Sequence, residues 1–562
     1  MSNDRMSRLR TGQGEIANHV IDEFAAGRLS RRELLRGGTI AGLSMPLLGA
    51  VLAACGSSPS AATGGGSSSP AGKAGALIRA GSYTPSGAMN PVTVDDIGGI
   101  AMLGQTGEYL CVSQQDLTLK PGLATKWSAN ATADVWTFDI RQGVKFHDGT
   151  PLTADDVVYT FKLHTNPKGS ANALSAFGGV LLPEGVVKTG AYTVEFHLTA
   201  PTGSFPYLTS SDNYNLIILP NKYDPAKWES SFLGTGPFKL ASYQPQVGAS
   251  FTRNASYWGA KALPSGSQFT FYADQTPMIL ALTSGSIDTL QQFAVAGGEQ
   301  LLSGGYNIIK LKSSAHRELS MRCDKPPFND ARVRQALALS LDRPGIAKAL
   351  FQQYSDLGND SPFAPVYPST NTSVPQRAQN LARAKSLLTA AGHPNGFATE
   401  LFTLQLQEVP KFAQIVAQSA AAIGIKIKLN VESTSAYYGK ATFGNSDWLD
   451  GAMSLVNYGH RSVPDVFLNA PLETYSAKKG TGSWNAAHFV NPQYDKLVGQ
   501  YTAAIDLTAK RSLAGKIEQL LLDQTPIVFA YFYNYLEASG SGVHGVYPTA
   551  ISHLFLNNAT KD

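Results

Sequence analysis

From Gly56 to about Gly75 the chain is almost wholly Gly, Ser, Ala, Pro and Thr, a composition that has nothing to bury and stays a flexible coil. This stretch divides the sequence, because only the residues C-terminal to it carry the spaced apolar pattern from which a core is built. About twenty such residues reach roughly 25 Å as a random coil, so the stretch reads as a tether. The body beyond it is too long for one ordinary domain: a chain of 562 residues, 43% hydrophobic and 15% charged, is expected to form two to four globular units.

The segment N-terminal to the tether reads as an export signal. Ser30-Arg31-Arg32-Glu33-Leu34-Leu35-Arg36 leads into an apolar stretch from about Gly37 to Ala54, the order of a basic region followed by a hydrophobic one, and the arginine pair resembles a twin-arginine signal. Gly42, Ser44, Pro46 and Gly49 make the stretch a poor lipid-spanning helix. Its end, Leu52-Ala53-Ala54-Cys55, resembles a bacterial lipobox, so Cys55 is expected to be acylated and to become the mature N-terminus. Each buried methylene contributes about 0.8 kcal/mol, so two or more acyl chains hold a protein on a bilayer without a spanning helix.

Charge argues against one class of partner. The formal net charge is +4, and residues 1–54 account for half of it, with seven Arg against five acidic residues. A nearly neutral body without a dense Lys/Arg stripe lacks the electrostatic footprint of a nucleic-acid binder. The three cysteines, Cys55, Cys111 and Cys323, form no C-x-x-C pair, so no zinc or redox site is expected, and no cofactor or metal. In an oxidising compartment Cys111 and Cys323 could pair as one disulfide; two buried free thiols are the alternative.

The mature region reads as α/β. Trp136-x-Phe138-x-Ile140 alternates as a half-buried strand, and Val144-x-Phe146 repeats the pattern after a Gly143 turn. Thr153 with Asp156 three residues on predicts a capped helix carrying Val157, Val158 and Phe161. Asn329 or Asp330 begins a helix through Leu341, and Asp342-Arg343-Pro344 begins the next. Helices are expected over Leu381–Ala391, Ala413–Ile423, Asp495–Tyr501 and Ala509–Leu522. Ile425-x-Ile427-x-Leu429 and the dense apolar run from Ile527 to Tyr535 are expected as strands.

Four groups of words resemble one family. Pro121-Gly122-Leu123-Ala124-Thr125-Lys126-Trp127, Trp136 to Arg141 and Gly143 to Val157 are similar to the first signature of the family 5 extracellular solute-binding proteins, which include oligopeptide-, dipeptide- and nickel-binding proteins of ABC importers. Gly234-Thr235-Gly236-Pro237-Phe238 with Arg253-Asn254 and Tyr257-Trp258-Gly259 resembles the second, Pro326 to Leu337 the third, and Asp495 through Pro526 the fourth. The resemblance runs from about residue 76 to 550. It implies a class C (cluster C) periplasmic-binding-protein fold, with two lobes built from three domains and joined by a hinge. The implied organisation is a signal peptide over 1–54, the tether over 55–75, domain I in three segments (76–110, 216–318 and 527–562), domain II over 111–215 and domain III over 319–526. The implied function is capture of a small solute, peptide-like or another small polar or anionic molecule, and its delivery to ABC permease subunits. The protein would be a lipid-anchored monomer on the outer face of the cytoplasmic membrane, or periplasmic. A ligand sensor or peptide chaperone of the same fold is the alternative.

In peptide-binding members an Asp, located by a downstream Asp-Pro-x-x-Phe-Leu, holds the ligand ammonium. Here Pro464-Asp465-Val466-Phe467-Leu468 fits the end of that pattern, but His460 and Arg461 stand upstream and Val463 replaces the usual acidic residue. His460 and Arg461 are therefore expected to line the cleft and to favour a carboxylate, phosphate or neutral acceptor; a solvated loop is the alternative. Trp448, Tyr458 and Trp484 are candidate apolar walls, with Asn457 and Asp95 as further candidates. An enzyme is not expected. The ten histidines are scattered, no G-x-S-x-G word occurs, and Ser476-Ala477-Lys478-Lys479 lacks the companion motifs of an S-x-x-K hydrolase. Nickel would need several converging donors, of which only His460 is evident.

Overall fold

A computed structural model describes residues 75–477 and 480–562. Cys55, the arginine pair and the tether up to residue 74 lie outside the described residues, as do Lys478 and Lys479 of the S-x-x-K word. Six strands bear on the site: β1 (Leu77–Tyr83), β2 (Asn307–Leu311), β3 (His316–Met321), β4 (Met453–Tyr458), β5 (Ile527–Tyr533) and β6 (Tyr535–Ser539). They belong to two large sheets. The first has seven strands in the order β2, β6, Thr289–Phe293, β1, Gly266–Tyr272, Gly248–Arg253 and Phe238–Gln244. β1 runs parallel to both of its neighbours, and β6 runs antiparallel to β2 and to Thr289–Phe293. The second has six strands in the order Ser355–Leu357, β5, β3, β4, Phe397–Leu404 and Ile425–Glu432.

A smaller antiparallel sheet joins Ala124–Ala129, Val135–Ile140, Thr193–His197 and Val186–Gly190 in that spatial order. Val135–Ile140 alternates as expected, with Trp136, Phe138 and Ile140 buried. The helix Ala154–His164 covers this sheet; Thr153 and Asp156 form the capping box, and Val157 and Phe161 are buried. Its Phe161 ring lies 4.8 Å from Phe196 of the sheet. Burying a side chain of this size contributes about 1.5–3 kcal/mol, so the amphipathic face docks the helix once the cap has set its start. The second capped pair, Ala331–Ser340 after Asp330 and Arg343–Phe351 after Asp342, also forms. Val409–Ala421 buries Phe412, Ala413, Val416 and Ala420 and connects the parallel strands Phe397–Leu404 and Ile425–Glu432, a βαβ unit.

One expectation is corrected and one pair of alternatives is decided. Val144-x-Phe146 is not a strand: Lys145 makes one isolated bridge to Pro151. Phe146 N–H instead donates to Thr150 O, and Gly149 N–H to Phe146 O. The turn consumes the groups a ladder needs, with Gly149 at φ +92°, a conformation that suits glycine. Cys111 and Cys323 are free thiols rather than a disulfide. Cys111 packs in the core shared by β1 and the four-stranded sheet, where the Thr209 hydroxyl faces its sulfur at 3.9 Å. Cys323 packs in a separate core with Leu468 and Phe529. A disulfide needs its Cα atoms within about 7 Å, and the two residues belong to different cores.

The family words tie elements together. Glu108, which lies in none of them, accepts from the Thr235 hydroxyl at 2.7 Å, the Tyr257 hydroxyl at 2.6 Å and Trp258 Nε1 at 2.7 Å. It thereby joins both halves of the second signature. A Cβ on Gly234 would stand 2.0 Å from Thr106 O, so only glycine fits there. Arg334 of the third signature is buried and donates to Phe328 O, Gln524 O and Thr525 O, fastening it to the end of the fourth.

The chain crosses between the large sheets twice, side by side. Residues 312–315 carry β2 into β3, and Asn534 alone carries β5 into β6. Leu311 pairs with Tyr535 in one sheet and His316 with Phe532 in the other, so the crossings form a two-stranded ribbon. The run Ile527–Tyr535, expected as one strand of the C-terminal segment of domain I, is thus divided at Asn534, and its first seven residues are hydrogen-bonded into the six-stranded sheet.

Candidate functional site

A cavity of about 80 Å³ lies between the four-stranded-sheet region and the six-stranded-sheet region. On the scale where roughly 10–15 Å³ holds one water, it accommodates several waters or the end of a small ligand. Tyr207, Leu208, Asp212 and Tyr214 form one wall. Arg461, Val463, Val466 and Trp484 form the other.

Local hydrogen bonds place the polar groups. Asp212 sits in a turn held to the strand Cys111–Ser113: Ser211 N–H donates to Cys111 O, Ser113 N–H to Ser211 Oγ, and Asp212 N–H to Ser210 Oγ. Burial raises the Asp212 pKa, while the hydroxyls of Ser462, Ser113 and Ser210 and the charge of Arg461 pull it back. Its Oδ2 is buried and accepts no bond of regular geometry among the described residues, so those hydroxyls act on the carboxylate without fixing it. Arg461 is half-buried, and its Nη1 donates to His460 O at 2.9 Å. The cavity therefore presents a carboxylate on one wall and a guanidinium on the other, with Leu208, Val463, Val466 and Trp484 as apolar surface.

The sequence candidates separate. Arg461 and Trp484 reach this cavity. Trp448 and Tyr458 are buried behind Trp484, with ring centroids 6.3 Å and 5.8 Å from it, the second pair stacked; they support the wall rather than form it. Asn457 Oδ1 accepts from Arg317 and, at 3.4 Å, from the Tyr533 hydroxyl. In a strand, neighbouring side chains alternate faces, so Asn457 joins the Arg317–Glu408 ion pair, away from Tyr458. His460 is buried, its pKa pushed down to about 3 by desolvation and by the adjacent Arg461 charge. It lines a separate cavity of about 10 Å³ beside the ribbon, which Asp212 also lines. Asp95 is exposed and precedes Asp96, the cap of helix Ile97–Thr106; it reaches the site only through its charge on Tyr214.

Asp212, Tyr207 and Tyr214 were not legible as site residues. They lie in or beside the polar run from Ser210 to Asn215, which reads as a turn and carries no signal that residue 461 stands opposite. Among the described residues, no group of three or more His, Cys, Asp or Glu could hold a metal ion, and no helix is long and apolar enough to cross a membrane.

The fold is one that known proteins share. The profile of the bacterial extracellular solute-binding proteins, family 5 Middle, matches residues 118–475. The dipeptide-binding protein of Escherichia coli (strain K12) is 25% identical over 434 residues, 72% of this chain and 79% of that one. The heme-binding protein A of Haemophilus influenzae is 25% identical over 434 residues, 71% of this chain and 76% of that one. Among solved structures, HbpA2 from Haemophilus parasuis aligns with a TM-score of 0.76 at 24% identity, covering 87% of this chain and all of that one. The unliganded open form of the murein tripeptide-binding protein MppA aligns with a TM-score of 0.72 at 22% identity, over 88% and 99% of the two chains. With two lobes joined by crossing strands, a cavity between them and a profile that spans more than half its length, the chain belongs to the bacterial extracellular solute-binding proteins of family 5.

Proposed function

We propose that the protein is the capturing subunit of an ABC importer and that it encloses a small zwitterionic or peptide-like solute between Asp212 and Arg461. The observation that carries this reading is the pair of opposite charges, Asp212 and Arg461, on facing walls of one cavity. A buried charge left alone is costly, so a ligand ammonium near Asp212 and a ligand anion near Arg461 would each find a partner. Val463 replaces the acidic residue usual upstream of Pro464, and Asp212 supplies a carboxylate from the other lobe. The relatives named for dipeptides and murein peptides support a peptide-like ligand.

The same reading takes residues 111–215 as domain II and has it close against domain III by bending of the ribbon. It also has Cys55 carry the lipid anchor, with the body turning on the Gly56–Gly75 tether as a monomer outside the cytoplasmic membrane. The protein binds its solute and does not transform it.

The test is native mass spectrometry of the full chain purified from its own host, to identify a co-purifying solute, followed by calorimetric titration of that solute into wild type, Arg461→Ala and Asp212→Asn. A loss of at least about 1.4 kcal/mol, tenfold in affinity, is expected for each variant. A change under about 0.5 kcal/mol for both would remove the pair from the ligand site.

A further inference from the structure

The ligand-facing Arg461 is held at its main chain by the ribbon that joins the two sheets. Ser314 lies in the first crossing and is fully buried. Its N–H donates to His460 Nδ1 at 3.1 Å, which makes Nδ1 an acceptor and leaves the imidazole proton on Nε2. Its hydroxyl accepts from Arg461 N–H at 2.9 Å and donates to Arg461 O at 2.8 Å. The Tyr367 hydroxyl is a second donor to that carbonyl at 2.8 Å. One serine in the crossing therefore grips both backbone groups of residue 461 and, through its own N–H, the ring of residue 460.

The neighbouring crossing is tied into the same assembly. Ser313 Oγ donates to Tyr533 O at 2.5 Å, and Tyr533 N–H to Ala315 O at 3.0 Å. Lobe closure in a hinged protein changes backbone angles at a few linking residues, and here those residues are bonded to the loop that carries Arg461. The 10 Å³ cavity lined by Leu311 of β2, His460 and Asp212 brings the opposite wall of the ligand cavity to the same spot.

We propose that Ser314 and His460 are positioning residues that fasten Arg461 to the hinge ribbon, so that closing the lobes and setting Arg461 in the ligand cavity are one event. The proposal rests on the reading of the larger cavity as the ligand site. A ribbon fastened in this way samples a narrow range of hinge angles, and a ribbon released from residues 460–461 samples a wider one. Tight seating of Arg461 and restricted opening then share one cause, although neither Ser314 nor His460 faces the larger cavity.

The experiment measures the distance between spin labels placed at the exposed Lys162 and Lys385 of the full chain by pulsed electron resonance, without ligand. It therefore separates this proposal from the assignment of the solute. In wild type a narrow, short distance distribution is expected. Ser314→Ala removes the two hydroxyl bonds to the Arg461 main chain and His460→Leu removes the acceptor of the Ser314 N–H, and each should raise the population at longer distances about tenfold, the effect of losing one or two net hydrogen bonds. His460→Asn carries an amide oxygen close to the place of Nδ1 and should restore the wild-type distribution. The proposal is overturned if the wild-type distribution is already as wide as that of His460→Leu, if Ser314→Ala leaves it unchanged, or if His460→Asn and His460→Leu behave alike. Should His460→Leu not fold, Ser314→Ala against wild type decides alone.

Discussion

Ser204 Oγ donates to Asp465 Oδ1 at 2.6 Å, a direct bond between the turn that begins helix Phe205–Leu208 on one side of the cleft and the first residue of helix Asp465–Asn469 on the other. Next to it, Gly203 N–H donates to Thr502 O at 2.7 Å. Lobe closure in this state is therefore supported by contacts that need no ligand. A hydrogen bond to a charged acceptor contributes about 1.5–3 kcal/mol. Ser204→Ala is expected to shift the free protein toward the open form about tenfold, seen as a larger radius of gyration in small-angle scattering. An unchanged scattering curve would show that this bond does not govern closure.

Glu108 anchors the second signature through three donors while half-buried. Desolvation raises its pKa, and bonds from Tyr257, Trp258 and Thr235 together with the charge of Arg141 oppose that rise. Glu108→Leu removes the acceptor and leaves three donors unsatisfied, at about 1–3 kcal/mol each. The variant should melt well below wild type in calorimetry, whereas Glu108→Gln, which keeps one acceptor oxygen, should lose less. Equal melting of Glu108→Leu and wild type would contradict the anchoring role.

Stability should peak near pH 6.5. Burial holds His147 and His164 at about 4 and His316, His460 and His553 at about 3. The unfolded chain takes up those protons from 6.5 downward, so this stability is present above 6.5 and lost as pH falls toward 3–4. Burial raises Glu318 to about 8 and Glu518 and Glu537 to about 7. Their stability is fully present below 4.5 and lost as pH rises through 7–8. Of these eight groups the five histidines outweigh the three glutamates between 4.5 and 6.5, and above 6.5 the glutamates alone act, with Glu108 and Asp212, also raised by burial, adding to the loss on the alkaline side. Melting temperatures measured from pH 4 to 9 should therefore pass through a maximum, and a steady rise to pH 9 would refute this balance.

Neither the buried Cys111 nor the half-buried Cys323 should react in the native state. Burial pushes Cys111 up to about 12 and Cys323 up to about 11, and the thiolate is the reactive form. Alkylation mapped by peptide mass spectrometry at pH 7.5 should leave both residues unmodified until the chain unfolds, and reductant should not change the melting temperature. Recovery of a peptide linking Cys111 to Cys323 would contradict the free-thiol structure.

Local chemistry was legible in the sequence wherever a single segment decides its own conformation. The Thr153 and Asp156 capping box, the Asp330 and Asp342 caps and the alternation around Phe138 each form where the residues indicate. The family words carried the architecture, and position 461 emerged as a candidate because it departs from their pattern. The polar turn at Asp212 stayed hidden, since nothing within Ser210–Asn215 refers to residue 461.

The sequence by itself determined the capped helices, the alternating strands and the family, because each depends on residues close in the chain or on words long enough to stand alone. Tertiary structure decided that the run Ile527–Tyr535 divides at Asn534 to serve two sheets, that His460 accepts from Ser314 in the ribbon, and that Asp212 faces the cavity of Arg461. Those outcomes depend on pairings between segments about 150 to 250 residues apart, and no periodicity along one chain encodes which distant partner a strand or a turn will meet.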